Sequence, residues 1–347
     1  MRPRLQFSGP AQSRAMSGAM LCRAAADVAL RRLLHGPLCP AWNLAAELAT
    51  EISKRQLLTA FAMPDIKQAR IYLDSLAIYS SALSKVSIED IALDKFKGTW
   101  ITPPNSAPDQ TILFLHGGGY AFYPKNYYNN LCAMIALSAG LRMFALDYRL
   151  APEHRFPAQL TDATNAYFWL LENGVNPRQL IVIGDSAGGN LTLSLLLYLR
   201  DSKLPLPALA ICLSPATDFE GKGLGAPPSS ELDWITQHMA SKWADWFCSQ
   251  EQRCDPLVSP LNADLRGLSP IYMQAGGAEI LLPSIQLFAE RAREQKADVV
   301  LETWPSMNHD FQAFGYDVPQ SAEAIRRIGA VIASHIPRRT ENQPTAI

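Results

Sequence analysis

The stretch Gly184-Asp185-Ser186-Ala187-Gly188 decides the fold of this 347-residue chain. The apolar run Leu180-Ile181-Val182-Ile183 precedes it, and a run of helical character over residues 191–200 follows it. A strand that passes through Gly-x-Ser-x-Gly into a helix is typical of a nucleophile elbow, a sharp turn that holds a serine hydroxyl above a sheet. The flanking glycines let the strand and the helix approach without a Cβ clash. Because so short a motif also arises by chance, its meaning depends on the rest of the chain.

Composition indicates an ordinary globular protein. The length suits one large α/β domain with additions or two small domains, and 48% of the residues are hydrophobic, enough for a substantial core. The net charge of -1 gives no basic surplus for binding nucleic acid or an anionic membrane. None of the six cysteines forms a Cys-x-x-Cys pair. Cys132 and Cys212 lie in apolar runs, so we predict buried thiols, with no need for disulfides or a metal.

The first 26 residues contain arginines but no acidic residue. This composition resembles that of a transit peptide, although we favour an irregular N-terminal segment. The apolar stretch within it is too broken for a secretory core or a membrane span. We therefore expect a cytoplasmic protein without stable membrane insertion.

Strand-like and helix-like runs alternate from residue 111 onward. The strand-like runs cover residues 111–115, 142–148, 180–184, 208–213, 271–275 and 299–304. The helix-like runs cover residues 128–138, 157–172, 190–200, 284–296 and about 321–335. Several strands are continuously apolar, as expected of parallel strands that are covered on both faces. Right-handed crossovers between such strands predict a three-layer α/β sandwich.

Other regions depart from this alternation. Residues 43–83 have helical periodicity, and residues 86–103 resemble a pair of strands. Between Pro215 and Pro260 there is no strand pattern, but tryptophans are frequent. We expect residues 86–337 to form the main domain and an insertion at about 216–258 to join residues 1–85 in a helical cap over the strand ends. The polar tail 338–347 is expected to be frayed.

Ser186 needs a base to remove its proton and a carboxylate to orient that base. His309 follows the last predicted strand, where the base lies when the chain order is serine, acid, histidine. Glu279 follows the penultimate strand and is the leading candidate for the acid. Asp255 comes before that strand. Asp310 adjoins His309, and we expect its side chain to point elsewhere because adjacent side chains rarely face each other.

Three consecutive glycines offer an anion site. The strand-like run 111–115 leads into His116-Gly117-Gly118-Gly119-Tyr120. These glycines allow backbone N–H groups to converge on one point, as in the HGGG-type oxyanion loop. The predicted oxyanion hole therefore comprises Gly117, Gly118, Gly119 and Ala187 of the elbow. A phosphate loop is excluded because no G-x-x-x-x-G-K-[ST] motif occurs.

The segments 116–120, 147–154 and 184–190 together resemble the hormone-sensitive-lipase-like α/β-hydrolases, also called bacterial esterase family IV. The resemblance covers about two thirds of the chain. It implies an α/β-hydrolase fold with a mostly parallel eight-stranded sheet flanked by helices, a helical cap and a serine–acid–histidine triad. Among the oxyanion donors it favours Gly118 and Gly119 with Ala187, and it gives residues 147–154 a structural role. Glu279 departs from the aspartate usual in the family, but glutamate is an accepted triad acid in this fold.

These parts predict a serine carboxylic-ester hydrolase that works through an acyl-enzyme and needs neither metal nor cofactor. The resemblance implies short-to-medium acyl esters as substrates, and lactones are equally compatible. Tyr120, Phe122, Tyr123 and the tryptophans of residues 234–246 are candidates for an acyl pocket. Two alternatives stay open: an amide or formamide hydrolase, and a non-catalytic receptor for small molecules on the same fold. Similar enzymes dimerise through the last strand and its neighbouring helix, so we also expect a homodimer.

Overall fold

The computed structural model describes residues 4–123, 125–222 and 232–336. The strands are β1 (Arg4–Phe7), β2 (Leu76–Tyr79), β3 (Ser87–Ala92), β4 (Lys97–Thr102), β5 (Thr111–Leu115), β6 (Arg142–Asp147), β7 (Leu180–Asp185), β8 (Leu209–Leu213), β9 (Ile271–Gly276) and β10 (Val299–Trp304). The α-helices are α1 (Ala11–His35), α2 (Leu44–Ala62), α3 (Ile66–Leu73), α4 (Lys125–Ala139), α5 (Ala158–Glu172), α6 (Ser186–Asp201), α7 (Gln237–Phe247), α8 (Leu282–Glu294) and α9 (Pro319–His335).

One sheet of eight strands organises the molecule, in the order β10-β9-β8-β7-β5-β6-β4-β3. Strands β5 to β10 pair in parallel, whereas β3 and β4 form an antiparallel hairpin that joins the sheet through β4 and β6. The carboxyl ends of β7, β9 and β10 therefore open on the same edge, and the loops that follow them can meet there. The prediction of a mostly parallel eight-stranded sheet flanked by helices is confirmed.

Both faces of the central strands are buried. Within β5, Ile112 and Phe114 pack in one hydrophobic cluster with α4 and α9, while Leu113 and Leu115 pack in another with α5 and α6. Alternate residues of a strand point to opposite faces, so a strand covered on both sides must be apolar throughout. The continuously apolar runs in the sequence have this origin. Cys132 and Cys212 are buried in these layers, as predicted.

The N-terminal region is more regular than the sequence suggests. Residues 11–26, expected to be irregular, lie within α1, where the small side chains of Ala24 and Val28 are buried. Helix α1 packs against α2, and the buried carboxylate of Glu47 on α2 forms ion pairs with Arg31 and Arg32 of α1. Strands β1 and β2 form a separate antiparallel pair that was not predicted. The arginine-rich composition obscured a helix that is stabilised mainly by tertiary contacts.

Of the predicted insertion at 216–258, the structure describes residues 216–222 and 232–258, which include α7. The tail 338–347, predicted to be frayed, lies outside the described residues. Among the helices of the described ranges, none combines the length and the apolar character needed to cross a membrane.

Candidate active site

Ser186 lies at the turn between β7 and α6, with a positive φ of 52°. A non-glycine residue rarely adopts this conformation, and a serine held there is typical of a nucleophile elbow. The neighbouring glycines make the turn possible. A Cβ on Gly188 would lie 1.9 Å from the carbonyl oxygen of Leu115, and one on Gly184 would lie 2.1 Å from the carbonyl oxygen of Gly188. No larger residue fits at either position without moving the backbone.

His309 lies on the loop that follows β10, and its Nε2 is 2.9 Å from the hydroxyl oxygen of Ser186. Its backbone is held from outside the loop. The carboxylate of Asp233 accepts a hydrogen bond from the His309 N–H (3.1 Å), and the indole N–H of Trp234 donates to the His309 carbonyl (2.6 Å). The imidazole is therefore fixed within hydrogen-bond reach of the serine, as a general base must be.

Glu279 follows β9 and is fully buried on the opposite side of the imidazole. Its Oε2 lies 3.8 Å from Nδ1 of His309 and accepts hydrogen bonds from the Ser214 hydroxyl (2.6 Å) and the Gly276 N–H (3.1 Å). Among the described residues, neither Glu279 Oε1 nor His309 Nδ1 has a hydrogen-bond partner. The Glu279 carboxylate faces Nδ1, the imidazole nitrogen on the side away from Ser186. A shift of about 1 Å would bring the two atoms within hydrogen-bond distance.

Asp310 does not point away from its neighbour, and the expectation for this residue is wrong. Its Oδ2 lies 3.1 Å from Nε2 of His309, the nitrogen that also faces Ser186. The reason is local, because Asp310 has a positive φ of 50° and the chain therefore turns its side chain back over the imidazole. Burial alone would lower the pKa of His309, but the carboxylates of Asp310 and Glu279 raise it well above its usual value.

The glycine loop approaches the elbow closely. Gly118 and Gly119 have φ values of +89° and +61°, and a Cβ on Gly119 would lie 2.2 Å from the indole of Trp243. Gly117 differs from them, because its N–H donates to Oδ1 of Asp185 (2.9 Å). Its inclusion in the oxyanion hole is therefore corrected. Within the described part of the chain, the N–H groups of Gly118 and Gly119 have no backbone acceptor.

The segment 147–154 supports this loop from behind. The hydroxyl of Tyr148 donates to the carbonyl of His116 (2.6 Å), and the ring of His116 is stacked between those of Tyr123 and Tyr148, each 3.9 Å away. Burial lowers the pKa of His116 to about 3, so this imidazole is neutral. His154 is exposed on the surface. Neither histidine touches Ser186, and both belong to the scaffold.

A cavity of about 100 Å³ adjoins Ser186 and His309. Its apolar wall combines side chains from α2, α3, β2, the glycine loop and the insertion: Leu57, Leu73, Leu76, Phe122, Trp234 and Trp243. Tyr127, Tyr128 and Asp310 also line it. Of the aromatic residues proposed for an acyl pocket, Tyr120, Tyr123 and Trp246 do not line it. Tyr120 bonds Asn190 (2.6 Å), Tyr123 stacks on His116, and Trp246 stacks on Phe61.

Sequence reasoning missed Asp233 altogether. Its carboxylate is fully buried and joins the loops that follow β9 and β10, accepting from the N–H groups of Ile280 (2.8 Å) and His309 (3.1 Å). Burial raises its pKa to about 6. No local signal could have identified this residue, since its partners are 76 and 47 positions away. For Asp310 a weak signal existed, because aspartate is among the few residues that tolerate a left-handed turn.

The site thus combines a hydroxyl, an imidazole within hydrogen-bond distance, a carboxylate behind it and the N–H groups of Gly118 and Gly119 after a strand end. Such an arrangement is suited to acyl transfer, in which an oxyanion forms and collapses. Among the described residues, no group of three or more histidine, cysteine or acidic side chains is arranged to hold a metal ion.

Comparison with known proteins agrees with this geometry. The family described as the alpha/beta hydrolase fold matches residues 112–313, more than half of the chain. An acetyl-hydrolase of Streptomyces hygroscopicus is 34% identical over 67% of this chain and 78% of its own length. An ethyl acetate hydrolase of Pseudomonas putida is 30% identical over 67% of this chain and 77% of its own. The crystal structure of an esterase from the bacterial hormone-sensitive lipase family superposes with a TM-score of 0.75 at 33% identity, covering 83% of this chain and 98% of that one.

Proposed function

We propose that this chain, which belongs to the hormone-sensitive-lipase-like family of α/β-hydrolases and is a carboxylesterase, hydrolyses short-to-medium acyl esters with Ser186 as the nucleophile. The contact of 2.9 Å between Ser186 Oγ and His309 Nε2 carries the proposal. His309 is the base in hydrogen-bond contact with the serine hydroxyl, and the pair supplies the two groups that ester cleavage requires.

The reaction begins when His309 takes the proton of Ser186 through Nε2 and the serine oxygen attacks the ester carbonyl. The tetrahedral oxyanion is bound by the N–H groups of Gly118, Gly119 and Ala187. Removing one such donor typically costs about 10²–10³ in rate. The imidazolium then donates its proton to the alcohol oxygen, and the alcohol leaves. Water attacks the acyl-enzyme by the same route, with His309 again as the base, and releases the acid.

Glu279 serves as the third member of this triad. Its carboxylate stabilises the imidazolium that forms at each step and favours the tautomer with the proton on Nδ1. The extra methylene of glutamate, compared with aspartate, is accommodated because Ser214 and the Gly276 N–H hold its Oε2 behind the imidazole. Asp310 cannot serve in this way, since it lies beside Nε2 and not beside Nδ1.

The preference for short-to-medium acyl groups is supported by the small cavity with its apolar wall. Two relatives are named after acetyl and ethyl acetate hydrolysis, which agrees with a small acyl group. Lactones fit the same steps, because their leaving alcohol simply stays attached to the acyl group. We assign residues 1–85 and the insertion at about 216–258 to a cap, since both contribute side chains to the cavity wall.

The test compares the wild type with Ser186→Ala on p-nitrophenyl butyrate. We expect kcat to fall by at least about 10³-fold, because removal of the nucleophile leaves only binding and oxyanion stabilisation. Ser202→Ala, an exposed serine just past the same helix, is the matched control and should keep wild-type turnover. Unchanged thermal unfolding of both variants excludes loss of the fold. Retained turnover in Ser186→Ala would refute the proposal.

A further inference from the structure

Asp310 provides a second carboxylate at the reactive nitrogen of His309, and we propose that it selects esters whose alcohol part carries a hydroxyl close to the ester oxygen. The inference rests on the proposed function and names a substrate class for the same site. Esters of glycols and of glycerol belong to this class, whereas simple alkyl esters do not.

The position of Asp310 assigns it to the alcohol side of the substrate. Nε2 of His309 lies 2.9 Å from Ser186 Oγ and 3.1 Å from Asp310 Oδ2. When the ester is cleaved, the same nitrogen must deliver its proton to the leaving alcohol oxygen, which therefore comes within about 3 Å of it. That oxygen then lies beside the Asp310 carboxylate, and a substituent on the adjacent carbon of the alcohol can reach it.

The second oxygen of Asp310 has no partner. Asp310 is only 5% exposed, it lines the cavity, and its Oδ1 is buried without a hydrogen bond to any described residue. A buried carboxylate oxygen left unpaired is unfavourable, and a donor supplied by a ligand would relieve this. In the described part of the chain, His309 is the only cationic side chain paired with Asp310. A hydroxyl donor is therefore favoured there, and an anionic alcohol part is repelled.

A purely structural role does not account for this carboxylate. Its side chain makes no capping hydrogen bond to the 3₁₀ helix Phe311–Phe314 that follows. Its φ of 50° is a conformation that glycine and asparagine also adopt. The turn itself thus requires no charged side chain. The Asp310 carboxylate instead lines the cavity in which the substrate would bind.

The experiment compares two butyrate esters of equal bulk, 2-hydroxyethyl butyrate and its isostere propyl butyrate. Only the first carries a donor. We measure kcat/KM for the wild type, Asp310→Gly and Asp310→Asn, and both variants suit the positive φ at this position. The wild type should prefer the hydroxyethyl ester by on the order of tenfold, since a site built to bind a hydroxyl discriminates against the analogue without it. The preference should fall to about unity in Asp310→Gly and weaken in Asp310→Asn.

The ratio of kcat/KM between the two esters separates recognition of the hydroxyl from changes in the rate of the chemical steps. Loss of a charge beside His309 alters the rate on both substrates, and this change cancels in the ratio. Asp298→Asn, at an exposed aspartate that precedes β10 and does not line the cavity, is the matched control and should keep the wild-type preference. Equal ratios in the wild type and in Asp310→Gly, with ester hydrolysis intact, would overturn this inference alone. Absence of turnover on every ester in the wild type would overturn the proposed function as well.

Discussion

The three residues of the proposed triad are held by different means. Ser186 is fixed by the backbone of the elbow, and His309 is fixed by side chains of the insertion. Glu279 is fixed by Ser214 and the Gly276 N–H, which both bind the Oε2 that faces the imidazole at 3.8 Å. Of the three residues, Glu279 is therefore the one that must move closer to His309 to form its hydrogen bond.

Replacing Glu279 by glutamine tests that role. Glutamine keeps the shape and removes the charge, so the imidazolium loses one of its two stabilising carboxylates. We expect kcat to fall by about 10²–10⁴. Because Glu279 helps to raise the pKa of His309, its loss lowers that pKa and preserves the free base to lower pH. The acid limb of the kcat/KM profile should accordingly move to lower pH, which a titration of activity with p-nitrophenyl butyrate measures.

Glu290→Gln, at an exposed position of α8, is the matched control for this experiment and should behave as the wild type. Wild-type rates in Glu279→Gln would show that another carboxylate orients His309.

At the scale of elements, the segment 232–247 contacts several loops of the candidate site. Trp243 of α7 packs against Gly119, and Trp234 bonds the His309 carbonyl. Asp233 joins the loops after β9 and β10 through the N–H groups of Ile280 and His309. The segment 232–247 therefore connects the base, the acid loop and the glycine loop, so that movement of this segment would alter the geometry of all three.

Asp233→Asn should impair catalysis through this segment. One of the two oxygens becomes an NH₂ group that faces a backbone N–H, and a buried hydrogen bond is lost. We expect a loss of about 1–3 kcal/mol in the free energy of unfolding and a fall in kcat of roughly tenfold, because small misplacement of the base is costly. Chemical denaturation and steady-state kinetics measure the two effects.

Asp245→Asn on α7 is the control within the same insertion, because the Asp245 side chain is exposed and pairs with Arg253 instead of the loops after β9 and β10. If Asp233→Asn lowers the free energy of unfolding but leaves kcat unchanged, Asp233 contributes to stability and not to catalysis.

At the scale of the whole molecule, the sheet has an open edge at β10. Among the strands of the described ranges, β10 pairs only with β9, and its Val300 is 56% exposed. An uncovered edge strand with apolar side chains is a ready surface for association. This feature supports the expected homodimer through β10 and its neighbouring helix, which we propose as the quaternary structure.

Light scattering tests this proposal. We expect a dimer mass at micromolar concentration for the wild type and a monomer mass for Val300→Lys, since two lysines brought together at a dimer axis repel. Lys54→Arg, at a position remote from β10 in the chain, should leave the wild-type mass unchanged. A monomer mass for the wild type would exclude this dimer.

The sequence by itself determined the sheet, the elbow and the candidate nucleophile and base. The strands of the main sheet and the turn at Ser186 leave local patterns, because a strand buried on both faces must be apolar throughout and a tight turn needs glycine at set positions. The order of Ser186, Glu279 and His309 along the chain follows from the same alternation. Such features depend on residues that are neighbours in the sequence, so a single sequence is enough to identify them.

Only the tertiary structure decided the finer arrangement of the site. It showed that the Gly117 N–H donates to Asp185, that Asp310 lies beside Nε2 of His309, and that Asp233 joins two loops that are distant in the chain. It also revealed helix α1, which packs against α2. The physical reason is common to all of these: hydrogen bonds and packing between residues far apart in the chain depend on where the fold brings them, and no local pattern records that.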